Sequence, residues 1–211
     1  MNTHVPALVA ERFKALRIVV FSTLCVYPFA PITGGGWSED TQPTGSGDYV
    51  TSCVSRERMF SYFSRRHNTP RRIIRLNYAI DMRYGVLHDI AGWVRDGIPI
   101  PIGTAYVSVI WQGDSNAQIL GALAHVTTPT SPLNVGGAEH MSVRLCGTGI
   151  RPYLWQETRF RGPGGRGWLV QQHSGSAAPV WLSCCPSGTH DRLGSGLDGE
   201  RRAFASQTDA L

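Results

Sequence analysis

Lysine is nearly absent from this chain: of its 20 lysine and arginine residues, only Lys14 is a lysine. The remaining fixed positive charge is carried by guanidinium groups, which are longer than an ammonium and stay protonated at any working pH. The five cysteines (Cys25, Cys53, Cys146, Cys184, Cys185) are odd in number and lack framework spacing, which excludes a disulfide scaffold and points to reduced thiols. Cys184, Cys185 and His190 are not a zinc site, because adjacent cysteines without a second ligand pair have the wrong spacing. No stretch approaches the length of a membrane span. The longest apolar run near the start, Arg17 to Tyr27, is interrupted by Ser22 and Thr23 and follows no basic segment, so neither a secretory signal nor a membrane partner is expected and a cytoplasmic setting is the default. The net charge of +5 is spread along the chain without a clustered stripe, which argues against a nucleic-acid partner.

At 211 residues and 42% hydrophobic, the chain has enough apolar material for the core of one domain. His4 to Ala15 reads as a helix, with Pro6 tolerated in its first turn. Arg17 to Tyr27 has the continuous apolar character of a buried parallel strand, ending in the hydroxyl of Thr23. A loop rich in Gly, Pro, Ser and Thr spans Ala30 to Gly47. The helix that follows, Asp48 to Arg66, sets Tyr49, Cys53, Arg56 and Phe60 along one stripe. Arg71 to Tyr78 is a second strand, Tyr84 to Arg95 a helix, Ala105 to Ile110 a strand, Asp114 to Val126 a helix, and Pro132 to Val135 a last short strand. Strands separated by helical stretches predict a parallel α/β sheet, since parallel neighbours need crossover connections. A strand-end hydroxyl and a helix-borne phenol are thereby placed to face one pocket. Beyond Arg144 the periodicity fades into Gly-, Ser- and Arg-containing segments, and no ordered domain is expected there.

The segments FSTLCVYPF, SEDTQP, DYVTSCVSRERMF, RIIRLNYAI, YVSVIWQGDSNAQILGALAH and LNVGGAEHMSVR occur in this order. Together they resemble the NAD-dependent epimerase/dehydratase family, the extended short-chain dehydrogenases, over roughly residues 2 to 144. The resemblance implies an α/β, Rossmann-like, doubly wound parallel sheet with part of a small substrate domain. It implies NAD or NADP as cofactor, a nucleotide sugar or similar hydroxy or carbonyl compound as small-molecule substrate, and a homodimer as the compatible assembly. Thr23 maps onto the family's Ser/Thr before a Val-Tyr pair, here Val26 and Tyr27. Tyr49 and Cys53 map onto its Tyr-x-x-x-Lys, with Glu57 at its acidic position. Asn2 maps onto the asparagine opening the preceding helix. Asn77 and Tyr78 map onto the strand end bordering nicotinamide and substrate. The resemblance thus makes Thr23, Tyr49, Cys53 and Asn2 the catalytic set, and Tyr49, Asn77 and Tyr78 the cofactor-binding set, with no metal.

A phenol moves the proton that accompanies hydride transfer only if its pKa falls from about 10 toward neutrality. In the family a lysine one helical turn away supplies the charge that lowers it and holds the ribose. Cys53 supplies neither, and with an ordinary pKa only roughly one part in a thousand of Tyr49 is ionised at pH 7. Arg56, three residues further along the stripe, is the alternative source of charge. The Gly-rich phosphate-binding turn is also lacking before Thr23, so the first βαβαβ half, on the order of 100 residues, is expected to be absent. The GxGxxG spacing at Gly162, Gly164 and Gly167 comes too late in the chain and is broken by Pro163. From about residue 145 the sequence is compatible with a frameshifted reading of the family's C-terminal region, because Ile150 to Gly162 and Val180 to Gly199 can be written in codons whose next frame has the family's pattern. The chain as it stands is therefore expected to be poorly soluble, to bind NAD weakly or not at all, and to be inactive. A non-catalytic ligand-binding module of the same fold is the alternative.

Overall fold

A computed structural model describes residues 2–31, 36–137, 140–155 and 157–164, and for residues 167–169 the backbone alone. Helix α1 (His4–Arg12) leads into strand β1 (Ile18–Thr23), whose β-branched Ile18, Val19 and Val20 favour the extended state. Strand β2 (Ala30–Pro31) is short, and helix α2 (Asp48–His67) is the longest described element. In α2, Val50, Cys53, Glu57, Phe60 and Ser64 are buried at alternating steps of three and four, which makes one inward stripe. Asp48 in its first turn and Arg65, Arg66 and His67 in its last complement the helix dipole, and Asn68 stops it in the left-handed conformation at φ 51°.

Strand β3 (Arg71–Leu76) pairs in parallel with β1 and, on its other edge, with β7 (Ser131–Val135). Ile73 on one face joins Ala10, Val20 and Phe60 beneath α1 and α2. Ile74 on the other face joins Ile110, Ile119, Ala122 and Val135 beneath α4 (Gln112–Ala122). Helices on both faces of a parallel sheet are the doubly wound arrangement that the α/β patterning predicts. Strand β4 (Tyr78–Ile80) pairs in parallel with β6 (Tyr106–Trp111), which also pairs antiparallel with β8 (His140–Ser142) and in parallel with β10 (Gly167–Leu169). Strand β10 pairs in turn with β2, and β5 (Ile100–Pro101) pairs with β9 (Phe160–Arg161). Helix α3 (Val86–Arg95) and helix α5 (Val143–Leu154) bury Ile90, Val94, Ile100, Ile102, Val107 and Val143 together as a further core.

The structure refines several boundaries. The apolar run after Ile18 stops being a strand at Thr23, whose Oγ1 accepts the Cys25 N–H at 3.2 Å and opens a 3-10 turn over Leu24–Val26. That turn sends Leu24, Val26 and Tyr27 inward. The second predicted strand divides at Asn77, and its end becomes β4 of another sheet. Helix α3 begins at Val86 because Gly85 precedes it at φ 104°, and α4 passes at Ala122 into a 3-10 turn, Leu123–His125. Past Arg144, where the sequence suggested no ordered structure, α5 continues to Leu154 with the Ser142 hydroxyl accepting the Leu145 N–H. Gly147, Gly149 and Pro152 weaken its helix propensity, but packing overrides them: a Cβ on Gly147 would stand 2.6 Å from Ile100 Cδ1. Gly167, the last glycine of the GxGxxG spacing, opens a strand instead of a helix. Cys184, Cys185, His190 and the segment Val180 to Gly199 lie outside the described residues. Among the described residues, no helix is long and apolar enough to cross a membrane.

Candidate active site

The carboxyl ends of β1 and β3 lie side by side, with Thr23 paired in register with Leu76. Asn77 follows Leu76 directly and donates its backbone N–H to Val135 O, so the ends of all three parallel strands meet at one edge. Crevices outside the carboxyl ends of parallel strands are where ligands bind in open α/β sheets. Tyr49, in the first turn of α2, brings its phenol to this edge, within electrostatic reach of Thr23 and Cys53. Because Thr23 Oγ1 already accepts from Cys25 N, its own proton is free to point at the phenolic oxygen.

Loss of water at the hydroxyl is the largest influence on Tyr49 and raises its pKa; Cys53 and Cys25 raise it further, and the Thr23 hydroxyl alone pulls it down. The residue as a whole is 60% exposed, so this desolvation concerns the hydroxyl end of the ring. Cys53 is 0% exposed and packs against Leu24, Val26 and Tyr27. Arg56 Nη2 donates to Cys53 Sγ at 2.9 Å. The positive charge expected of Arg56 is thus delivered to the thiol, and Tyr49 remains a protonated phenol at neutral pH.

The other sequence candidates take distinct places. Asn2 Nδ2 donates to Ser52 Oγ at 2.9 Å, and Ser52 Oγ donates to Tyr49 O at 2.7 Å, so Asn2 braces the backbone of Tyr49 from outside. Asn77 is 8% exposed; its Oδ1 accepts the Tyr78 N–H, while its Nδ2 is buried with no hydrogen-bond partner. Tyr78 has a pKa raised by burial and by the neighbouring Cys25.

Two groups escaped the sequence reading. Cys25 reads in sequence only as a reduced thiol, yet it acts electrostatically on both Tyr49 and Tyr78. Arg75 lies in a buried polar network: Nη2 and Nε bind Glu57 Oε2 and Oε1 at 2.9 and 3.2 Å, and Nη1 donates to the Tyr27 hydroxyl. The Ser22 hydroxyl donates to Glu57 Oε1, and the Tyr27 hydroxyl also lies 3.1 Å from Asn134 Oδ1. The signal was present in Arg71, Ile73 and Arg75, which alternate onto one face of the strand. Burial opposes the Arg75 charge, but Glu57 and Tyr27 outweigh it and raise its pKa.

Burial also raises the pKa of Tyr27, against the pull of Arg75 and Asn134. Above the ordinary phenol value of about 10, the folded chain therefore holds protons on Tyr27, Tyr49 and Tyr78 that the unfolded chain has released, and stability falls with rising pH. Urea denaturation is expected to give a stability that declines from about pH 10 upward, the window set by these raised phenols. Tyr78→Phe should make that decline shallower, and an unchanged slope would contradict the assignment.

No family model matches the sequence, and no curated protein matches it. Solved structures do. The NAD complex of dTDP-glucose 4,6-dehydratase from Bacillus anthracis superposes with a TM-score of 0.67 at 15% identity, covering 81% of this chain and 57% of its own. UDP-glucuronic acid 4-epimerase from Bacillus cereus, in complex with UDP-glucuronic acid and NAD, gives 0.66 at 19% identity, covering 79% and 55%. UDP-glucose 4-epimerase from Thermus thermophilus, in complex with NAD, gives 0.62 at 17% identity, covering 78% and 58%. The chain thus spans somewhat over half the length of each. At these identities the likeness is one of fold, and over about four fifths of its length this chain has the Rossmann-type fold of NAD-complexed sugar-nucleotide epimerases and dehydratases.

Proposed function

We propose that Thr23 and Tyr49 form the proton-handling pair of an NAD(P)-dependent oxidoreductase of the epimerase/dehydratase type, acting on a nucleotide sugar or a similar hydroxy or carbonyl compound. The observation that carries this reading is the meeting of Thr23, at the carboxyl end of β1, with the Tyr49 phenol, on which the Thr23 hydroxyl acts to lower its pKa. Thr23 holds the substrate oxygen; because the Tyr49 pKa is raised and not lowered, the phenol is suited to give its proton to that oxygen as negative charge develops there, and not to take one at neutral pH. The Asn77 amide, buried with an unpartnered Nδ2, suits the carboxamide end of a nicotinamide, and Tyr49 and Tyr78 border the same place. When bound, such a cofactor would exchange hydride with the adjacent substrate carbon. The ribose contact that a lysine makes is not reproduced by Cys53, which is fully buried and accepts from Arg56.

The test is calorimetric titration of the chain with UDP-glucose and dTDP-glucose, with and without NAD, followed by turnover assays on any sugar that binds. Tyr49→Phe is expected to reduce turnover by about 10²–10⁴-fold, the usual contribution of a positioned proton donor. Failure of both nucleotide sugars and NAD to bind would overturn the proposal, as would a Tyr49→Phe variant with undiminished turnover.

A further inference from the structure

Tyr49 and Thr23 belong to different elements, and their contact depends on how α2 is seated on β1. Arg71 Nη1 on β3 donates to Phe60 O of α2 at 3.1 Å, and a second polar tie lies nearer the site. Ser22 and Arg75 are register partners on adjacent strands, and both reach up to Glu57 on α2. Glu57 lies eight residues beyond Tyr49, about 12 Å along the same helix at the usual rise. Its Oε1 accepts from the Ser22 hydroxyl and Arg75 Nε, and its Oε2 accepts from Arg75 Nη2 at 2.9 Å. With both oxygens held from two strands, the carboxylate cannot rotate, and α2 cannot slide along the sheet without breaking charge-assisted bonds. Arg75 is itself fixed by the Tyr27 hydroxyl and by Glu39 O at 3.3 Å.

Apolar residues of similar volume would fill this space at least as stably, so stability alone does not account for a buried ion pair here. The residue next to Ser22 is Thr23. We infer that Glu57 is a positioning residue, gripping Ser22 and Arg75 so that the Thr23 hydroxyl meets the Tyr49 phenol in register. The inference rests on the Thr23–Tyr49 reading above, but its test needs neither substrate nor cofactor.

Nitration of tyrosine by tetranitromethane consumes the phenolate, so at pH 8 its rate at each tyrosine follows the ionised fraction. Tyr49 is exposed enough to react, and Tyr84, which lies outside α2 and donates its hydroxyl to Gln112 Oε1 at 2.8 Å, serves as internal reference after peptide mapping. The Thr23 hydroxyl favours the ionised phenol, and losing a net hydrogen bond of ordinary strength should slow nitration of Tyr49 about three- to tenfold in Thr23→Val. Ser22→Ala, which leaves the Glu57–Arg75 pair intact, and Glu57→Gln should each reproduce at least half of that slowing, while Ser22→Thr should retain the wild-type rate. A purely structural role predicts the opposite sign, because loosening α2 exposes the ring and speeds the reaction. Slowing in Thr23→Val with an unchanged or faster rate in both Ser22→Ala and Glu57→Gln would overturn the positioning role. An unchanged rate in Thr23→Val would sink it together with the Thr23–Tyr49 contact, whereas failure of sugar binding alone would leave it standing.

Discussion

Arg75→Met is expected to lower the free energy of unfolding by about 3–5 kcal/mol, the cost of leaving one partner of a buried ion pair uncompensated. The thermal midpoint should fall by on the order of 10 °C for a chain of this size. Arg75 and Glu57 are 5% and 6% exposed, so solvent can replace little of what the guanidinium gives the carboxylate. Methionine fills much of the volume but donates nothing, so Glu57 keeps only Ser22, and the Tyr27 ring loses the guanidinium 4.9 Å from its centre. The double variant Arg75→Met/Glu57→Leu removes the stranded charge and should regain most of the loss. Denaturant titration at pH 7 measures both. Equal instability of the single and double variants would show that packing, and not the pair, sets the cost. If Glu57 acts as a positioning residue, the double variant should recover stability without recovering the nitration rate of Tyr49, which separates the two roles.

The parts of this arrangement that were legible in sequence are those written in local periodicity. The stripe of α2, the apolar strand ending at Thr23 and the helix–strand alternation follow from spacing, and the structure has helices on both faces of a parallel sheet. Boundaries were less legible where side chains bond to the backbone. Thr23 capturing the Cys25 N–H ends β1 four residues before the apolar run stops at Tyr27, and nothing in hydropathy announces it. Helix α5 escaped for the converse reason: its glycines and proline suppress the local signal, while a tertiary contact at Ile100 and Phe160 decides the outcome. At the site, sequence brought Tyr49, Thr23 and Cys53 together but left open where Arg56 would turn. The direction of that guanidinium, to sulfur and not to the phenol, is a matter of three-dimensional reach that spacing along a helix does not fix. Arg75 was hidden because an arginine in a strand that also carries Arg71 and Arg72 reads as an edge or a solvated position until its carboxylate partner on another element is known.

Gly137→Ala should be as damaging as the loss of Arg75, through backbone instead of charge. A Cβ built on Gly137 would stand 1.8 Å from the Val109 carbonyl oxygen and 3.0 Å from its carbon. Both atoms are backbone, so no side chain can swing aside to make room. Gly137 follows the end of β7 by two residues, and its carbonyl accepts the hydroxyl of fully buried Ser108 at 3.0 Å. This is where the chain leaving the three-stranded sheet crosses β6 of the five-stranded sheet. Val109 is in turn the register partner of Tyr78, so a shift of β6 is passed to the strand that begins beside Asn77. The substitution is expected to cost on the order of 3 kcal/mol, the upper part of the range for overpacking. Gly149→Ala is the matched control, since it lies within α5 with nothing within 4 Å of its added Cβ. That change should stabilise the chain by about 0.5–1 kcal/mol through helix propensity alone. If denaturant titration finds Gly137→Ala no less stable than Gly149→Ala, the close crossing of β7's exit over β6 is not present in solution, and the link it makes to the Asn77–Tyr78 edge of the site falls with it.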